Sequence, residues 1–155
     1  MSFNINNCVN YITAASIKKI SKAYNDWLTP YGITRIQWTA LYYVFKHREI
    51  SQRELSNVMG IKDSSGMRLL ERLERDDFVK RTRSQVDKRI IVVSLTEKGK
   101  ATMTELLPLG EEFSQVLVNG ISNEELDLFL NIMNRMEVNI LTDKRSQIDL
   151  NINRD

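Results

Sequence analysis

Apolar residues recur at helical spacing from Val9 to Leu28, where Val9, Ile12, Ile20, Ala23, Tyr24, Trp27 and Leu28 predict a long first helix that Pro30 and Gly32 stop. Thr34 followed by Gln37 has the form of a capping box, and Trp38, Leu41, Tyr42 and Phe45 then trace the buried stripe of a second helix running to about Lys46. Ser51 with Glu54 repeats the box ahead of Leu55, Val58 and Met59, and Gly60 ends this short third helix. A fourth helix opens at Lys62 or Asp63, with Asp63 the better cap, and carries Met67, Leu69, Leu70 and Leu73 inward as far as about Asp77. The periodicity next changes from 3.6 to 2: 78–83 and 90–95 read as strands joined by the polar 84–89. Thr96 caps a fifth helix, with a bend at Pro108 and Gly110, that runs to Gly120. Ser122 with Glu125 caps a sixth bearing Leu126, Phe129, Leu130, Met133 and Met136.

Two short helices joined through a glycine turn are a helix-turn-helix, and a β-hairpin placed directly after one is a wing. The expected fold is therefore mainly α with a small β-hairpin, a winged helix-turn-helix DNA-binding domain with a helical dimerisation region. In residue ranges this gives 1–33 as an N-terminal dimerisation helix, 34–99 as the winged domain, 100–141 as C-terminal dimerisation helices, and 142–155 as a loosely ordered polar tail. Helices one, five and six carry apolar stripes that need a partner, and a second copy of the chain buries the same patch twice, which predicts a homodimer. No apolar run is long enough to span a bilayer and the N-terminus lacks the order of a signal peptide, so no membrane partner and a cytoplasmic location are expected.

Charge sharpens this picture. The net charge of +2 divides into +4 over 1–50, +4 over 51–100 and −6 over 101–155, as in a chain whose first two thirds face a polyanion. On the fourth helix Ser64, Arg68, Arg72 and Arg75 step by three or four and share the face opposite the leucines, with Ser65 at its border. Such a helix enters the major groove with its first turns at the base edges, which puts Ser64, Ser65 and Arg68 at bases and Arg72 nearer the backbone. The alternative for the same face is a solvated surface on which the arginines pair with Glu71 and Glu74. The hairpin tips the balance toward double-stranded DNA: Lys80, Arg81, Arg83, Lys88 and Arg89 crowd five cations onto one small ribbon, and an arginine at a loop tip suits a narrow minor groove. Ser51, Gln52 and Arg53 at the start of the third helix, with Asp87 and Lys88 in the wing, complete the nominated DNA-facing set.

The segments Gln37-Trp38, Glu54-Leu55-Ser56, Arg68-Leu69-Leu70-Glu71-Arg72-Leu73-Glu74, Asp87-Lys88-Arg89 and Leu95-Thr96-Glu97-Lys98-Gly99 together resemble the MarR family of transcriptional regulators, from about residue 8 to 141. The wing signature Asp-x-Arg followed by Leu-Thr-x-x-Gly is the specific part. The resemblance implies a twofold dimer held by helices one, five and six on a pseudo-palindromic operator, released by a small aromatic or lipophilic ligand or by an oxidant. It also implies Ser64, Ser65 and Arg68 as major-groove readers, Arg89 as the minor-groove arginine, and Asp87 as the acid bracing the wing.

Two residues depart from the family pattern. Gly66 sits inside the fourth helix at a cost of roughly 0.5–1 kcal/mol relative to alanine, either permitting close approach to DNA or loosening the helix. Cys8 is the only cysteine, which excludes an intrachain disulfide and a cysteine zinc site and leaves a redox sensor at Cys8 as the oxidant alternative. Ile12, Trp38 and Tyr42 are the candidate lining of an effector pocket between helices one, two and five, while His47 near the end of the second helix suits its dipole. No cofactor and no metal site is expected, and an enzyme is not: the chain has no glycine-rich phosphate loop, no nucleophile elbow, and a single histidine. A winged-helix module that binds protein in place of DNA is the remaining alternative.

Overall fold

A computed structural model describes residues 4–143, in which the chain up to Phe113 forms one compact unit and the chain from Ser114 a second. The elements run α1 (Val9–Leu28), α2 (Arg35–His47), β1 (Glu49–Ser51), α3 (Gln52–Val58), α4 (Asp63–Arg75), β2 (Val79–Arg83), β3 (Ile91–Leu95), α5 (Glu97–Leu117) and α6 (Asn123–Thr142). The 142–155 tail lies outside the described residues beyond Asp143.

Three helices start at reciprocal capping boxes, Thr34 with Gln37, Ser51 with Glu54 and Ser122 with Glu125, each satisfying two backbone donors that a helix start leaves free. The fourth start differs from expectation. Lys62 occupies the cap position and makes no side-chain cap bond, while Asp63 is the first helical residue, where its charge meets the positive end of the helix dipole. Helix α5 opens on Thr96, whose Oγ1 accepts the Gly99 N–H at 3.0 Å, and it ends at Leu117 rather than Gly120.

The core of the first unit is drawn from every element in it. Leu28, Leu41, Val44, Leu55, Leu70, Leu73, Val79, Val93, Met103 and Leu106 are all buried to 2% exposure or less, and each leucine so placed contributes about 1.5–3 kcal/mol over an exposed one. Some stripe residues of the sequence reading lie elsewhere. Phe45, Val58 and Met67 are 39%, 45% and 42% exposed, because Ala40, Val44, Ser56 and Gly66 take the inward positions instead. Helix α6 has no buried residue, and its Leu128, Phe129 and Leu130 are 56–63% exposed.

The wing is a three-stranded sheet rather than a two-stranded ribbon. Strand β1 pairs antiparallel with β3 (Ile50 opposite Val93) and β3 with β2 (Val93 opposite Arg81), giving the order β1-β3-β2. Three residues are too few to show an alternation in sequence, so β1 is visible only through its partner. The hairpin is also fastened to α4. Arg81 donates from Nε and Nη2 to Glu74 Oε2 at 2.9 and 2.7 Å, and its backbone N–H donates to Oε1 at 3.1 Å. Thr96 Oγ1 donates to the Asp77 carbonyl at 2.6 Å. Nearby, a side chain at Gly99 would run into the Phe78 carbonyl oxygen, which accounts for glycine at this point.

Gly66 has a similar explanation. It is buried, and a methyl group there would collide with the Ser56 hydroxyl of α3, so the glycine lets α3 and α4 approach closely. It faces the neighbouring helix and not the exposed surface, so the close approach it permits is to α3.

Gly66→Ala should lower stability by about 1–3 kcal/mol through overpacking, and Ser56→Ala in the same chain should recover most of the loss, both read from thermal melts. Glu74→Gln should cost less than about 1 kcal/mol, since the pair with Arg81 is partly exposed. The Arg81 bonds hold the Glu74 carboxyl below its ordinary range, with burial opposing. Its contribution is therefore fully present above the ordinary glutamate range and lost as pH falls through the lowered folded value. The melting difference between wild type and Glu74→Gln should vanish in strong acid.

Candidate nucleic-acid interface

Helix α4 shows two sharply different faces. Gly66, Leu69, Leu70 and Leu73 point into the unit, and Ser64, Ser65, Arg68 and Arg72 are exposed on the other side. Burial of the leucine face fixes the rotation of the helix, so the polar face is presented without any side chain having to hold it there. Neither Arg68 nor Arg72 makes an ion pair among the described residues. The solvated-surface alternative required pairing to Glu71 and Glu74, and Glu74 is engaged by Arg81 instead. Glu71 is exposed as well, a negative charge among these cations.

The five hairpin cations divide by use. Arg81 is half-buried and committed to Glu74, which takes it out of the free set. Lys80, Arg83, Lys88 and Arg89 remain exposed. Arg89 is the most outward of the ion-paired arginines among the described residues, its side chain 90% exposed, yet it is not loose: its backbone N–H, Nε and Nη2 donate to the Asp87 carboxylate at 2.8–3.2 Å. These bonds hold the Asp87 carboxyl below its usual range, and the side-chain bond raises Arg89 further above its own. The turn beneath is closed by Ser84, whose N–H donates to the Ile90 carbonyl at 2.9 Å and whose Oγ accepts from Val86 N–H at 3.2 Å.

Ser51, Gln52 and Arg53 lie beside the wing, for together with Arg89, Ile90 and Ile91 they line a groove of about 350 Å³. The Ser51 hydroxyl is occupied there as the α3 cap, accepting the Glu54 N–H at 3.1 Å. The structure thus gathers the nominated residues into the exposed face of α4 and the groove between the start of α3 and the tip end of the wing.

The other nominated residues stand apart. Trp38 and Tyr42 stack with ring centroids 5.5 Å apart, whereas Ile12 is 47% exposed on α1. The sequence reading missed the main partners of Trp38: Tyr24 packs edge-on to it at 5.5 Å and stacks on Phe113 at 4.4 Å, with Gly110 closing against both Trp38 and Tyr24. Tyr24 Oη and Trp38 Nε1 are buried without a hydrogen-bond partner, and burial pushes the Tyr24 hydroxyl up to about 12. No sequence signal separates these aromatics from ordinary core. Cys8 is half-buried at the cap of α1 and makes no cap bond. Among the described residues no cluster of three or more His, Cys, Asp or Glu could hold a metal ion, and no helix is long and apolar enough to cross a membrane.

Comparison with known proteins agrees with this geometry. The model of the MarR family matches residues 31–90, which takes in α2, the two helices of the helix-turn-helix and the wing as far as the base of β3. Among solved structures the fold is similar to that of a cysteine-to-serine mutant of Escherichia coli MarR complexed with operator DNA, with 23% identity, a TM-score of 0.76, and 87% of this chain and 99% of that one covered. It is likewise similar to Staphylococcus aureus MepR in a DNA complex (21%, TM-score 0.80, 86% and 98% covered). Bordetella bronchiseptica BpsR, whose DNA binding is regulated by 6-hydroxynicotinic acid, is a third (17%, TM-score 0.80, 88% and 98%). The family model thus matches the part of the chain that holds the winged helix-turn-helix, and the solved structures share its fold.

Proposed function

We propose that this chain is a homodimeric transcriptional repressor that reads a pseudo-palindromic site in double-stranded DNA and releases it on binding a small lipophilic or aromatic ligand. The observation that carries the DNA reading is the pairing pattern of the cations. Arg68 and Arg72 stand unpaired on the exposed face of α4, and Arg89 projects from the wing tip, while Arg81 is used internally. In this reading Ser64, Ser65 and Arg68 meet base edges in the major groove. Arg72, Lys88 and the groove of Ser51, Gln52 and Arg53 meet phosphates, and Arg89, aimed by Asp87, enters the minor groove. The DNA complexes of MarR and MepR support it by analogy of fold. Dimerisation is supported by the apolar side chains that α1 and α6 leave in water, Val9, Ile12 and Ile17 on one and Phe129, Leu130 and Ile140 on the other, which a second copy would cover. The 1–33 and 100–141 segments are then the dimerisation regions about a DNA-binding 34–99.

For the ligand, the aromatic cluster of Trp38 and Tyr42 offers apolar walls, and Tyr24 Oη with Trp38 Nε1 offers two buried donors lacking acceptors. An unsatisfied buried polar group is costly, so a ligand with an acceptor aimed at them gains more than its apolar area alone. Such a ligand switches DNA binding only by favouring one spacing of the two reading heads over another.

Arg68→Ala should cost about 1–3 kcal/mol at the preferred site and relax one base position in each half-site, the half-sites lying about 10 base pairs apart. Arg89→Ala should weaken binding to all duplexes and flatten its salt dependence. Fluorescence anisotropy on duplexes selected from a random library measures both, and wild-type affinity in both variants would remove this assignment of the DNA face.

Lipophilic compounds carrying an acceptor should release DNA from wild type and from Cys8→Ser alike, with Tyr24→Phe needing about tenfold more compound. Peroxide release that disappears in Cys8→Ser would instead establish the oxidant-sensing alternative.

A further inference from the structure

Strand alternation gives the three-stranded sheet two faces. Ile50, Val93 and Arg81 form one cross-strand row, turned toward the buried side where Arg81 reaches Glu74. The adjacent row, Glu49, Ser94 and Lys80, lies on the opposite face. That row floors a cleft of about 880 Å³, walled by Phe45, His47 and Arg48 at the end of α2 and by Lys100 on α5.

The charges in this cleft are unbalanced. Arg48 and Lys80 enter no ion pair among the described residues, and Lys100 is held at 2.7 Å by Glu97, whose carboxyl is kept below its ordinary range chiefly by Lys100 and more weakly by the field of Lys80. Glu49 is the one carboxylate in the lining. It stands two strand spacings from Lys80, about 9–10 Å, with Ser94 between them. Arg48 reaches the cleft from a backbone at φ 63° and ψ −49°, where glycine would be unstrained and a side chain is not. Beside these cations Phe45 leaves 39% of its surface exposed, a large apolar side chain in the lining of the cleft.

We propose that this cleft is a second ligand site, apart from the exposed face of α4, the wing tip and the aromatic cluster, for a small anion on an apolar body, an aryl phosphate ester. The ring lies against Phe45, and the anionic group takes the Ser94 hydroxyl and Lys80, on the side of the cleft away from Glu49, with Arg48 adding positive charge from the far wall. Neither half suffices alone, since the cations are solvated and Phe45 offers one open face. An occupant so placed touches the end of α2 and strands β2 and β3 at once, so it bears on the segment from which the wing is hung.

Titration calorimetry of the full chain with phenyl phosphate tests this, with inorganic phosphate and benzyl alcohol as probes of charge alone and ring alone. Phenyl phosphate should bind at least about tenfold more tightly than either. Lys80→Met, at an exposed position, should weaken it about tenfold, Glu49→Gln should tighten it about threefold, and Trp38→Phe should leave it unchanged. Equal binding of either single-feature probe, or no binding of phenyl phosphate at millimolar concentration, would overturn the proposal. So would a loss confined to Trp38→Phe, which would put the ligand in the aromatic cluster, or a Lys80→Met variant that lost duplex affinity while binding phenyl phosphate as wild type does. The calorimetry uses no DNA, so it stands or falls apart from the proposed regulatory function.

Discussion

The rotation of α4 about its own axis is the constraint on which the exposed surface depends. Leu69, Leu70 and Leu73 would allow a range of settings, because a leucine face is broad and side chains can repack. The contact between Gly66 and Ser56 narrows that range, since the helix can approach α3 this closely only along the strip where no Cβ intervenes. Once that strip is fixed, the 100° step of the helix places Ser64, Arg68 and Arg72 outward with no further interaction needed. A residue with no side chain thereby sets the direction of those that carry chemistry.

The wing is located by a second group of contacts, each spanning a junction between elements. Arg81 and Glu74 join the hairpin to α4, Thr96 joins the start of α5 to the turn after α4, and Gly99 lets α5 begin against the Phe78 carbonyl. The third strand extends the sheet to the end of α2. These fastenings lie at the root of the hairpin, and at the tip the chain is held by local bonds among Ser84, Asp87 and Arg89. A rigid root with a locally ordered tip suits a surface element that must reach outward without unfolding.

Much of this is legible in the sequence where the signal is local. Three capping boxes, the start of α1 and the glycine ending α3 depend on residues within one turn of each other, and each appears as expected. What is not legible depends on distant partners. Glu74, on the same helix as Arg68 and Arg72, reads as a surface acid, and only the return of the hairpin makes it the partner of Arg81. Strand β1 is too short to carry a period, and Met67 fits the apolar stripe by type while Gly66 fits it by volume. Of the site, the nominated α4 and wing positions can be placed by periodicity, whereas the adjacency of Arg53 to Arg89 and the orphan hydroxyl of Tyr24 require the fold.

The arginines show why charge alone is a poor guide to function. Arg81, Arg89 and Arg68 carry the same group, and their partners assign them different work. Two carboxylate oxygens and a half-buried setting make Arg81 a fastening, and a competing anion would have to break that geometry to recruit it. Arg89 is bonded as extensively, but by a residue two positions away and in the open, so the pair orients the guanidinium while leaving its outer edge in water. An arginine held this way has already lost part of its rotamer freedom and has less to lose when it meets a polyanion. Arg68 has no such restraint, and in the proposed reading its energetic return would depend on finding a bidentate acceptor, which is the condition for discriminating one base from another.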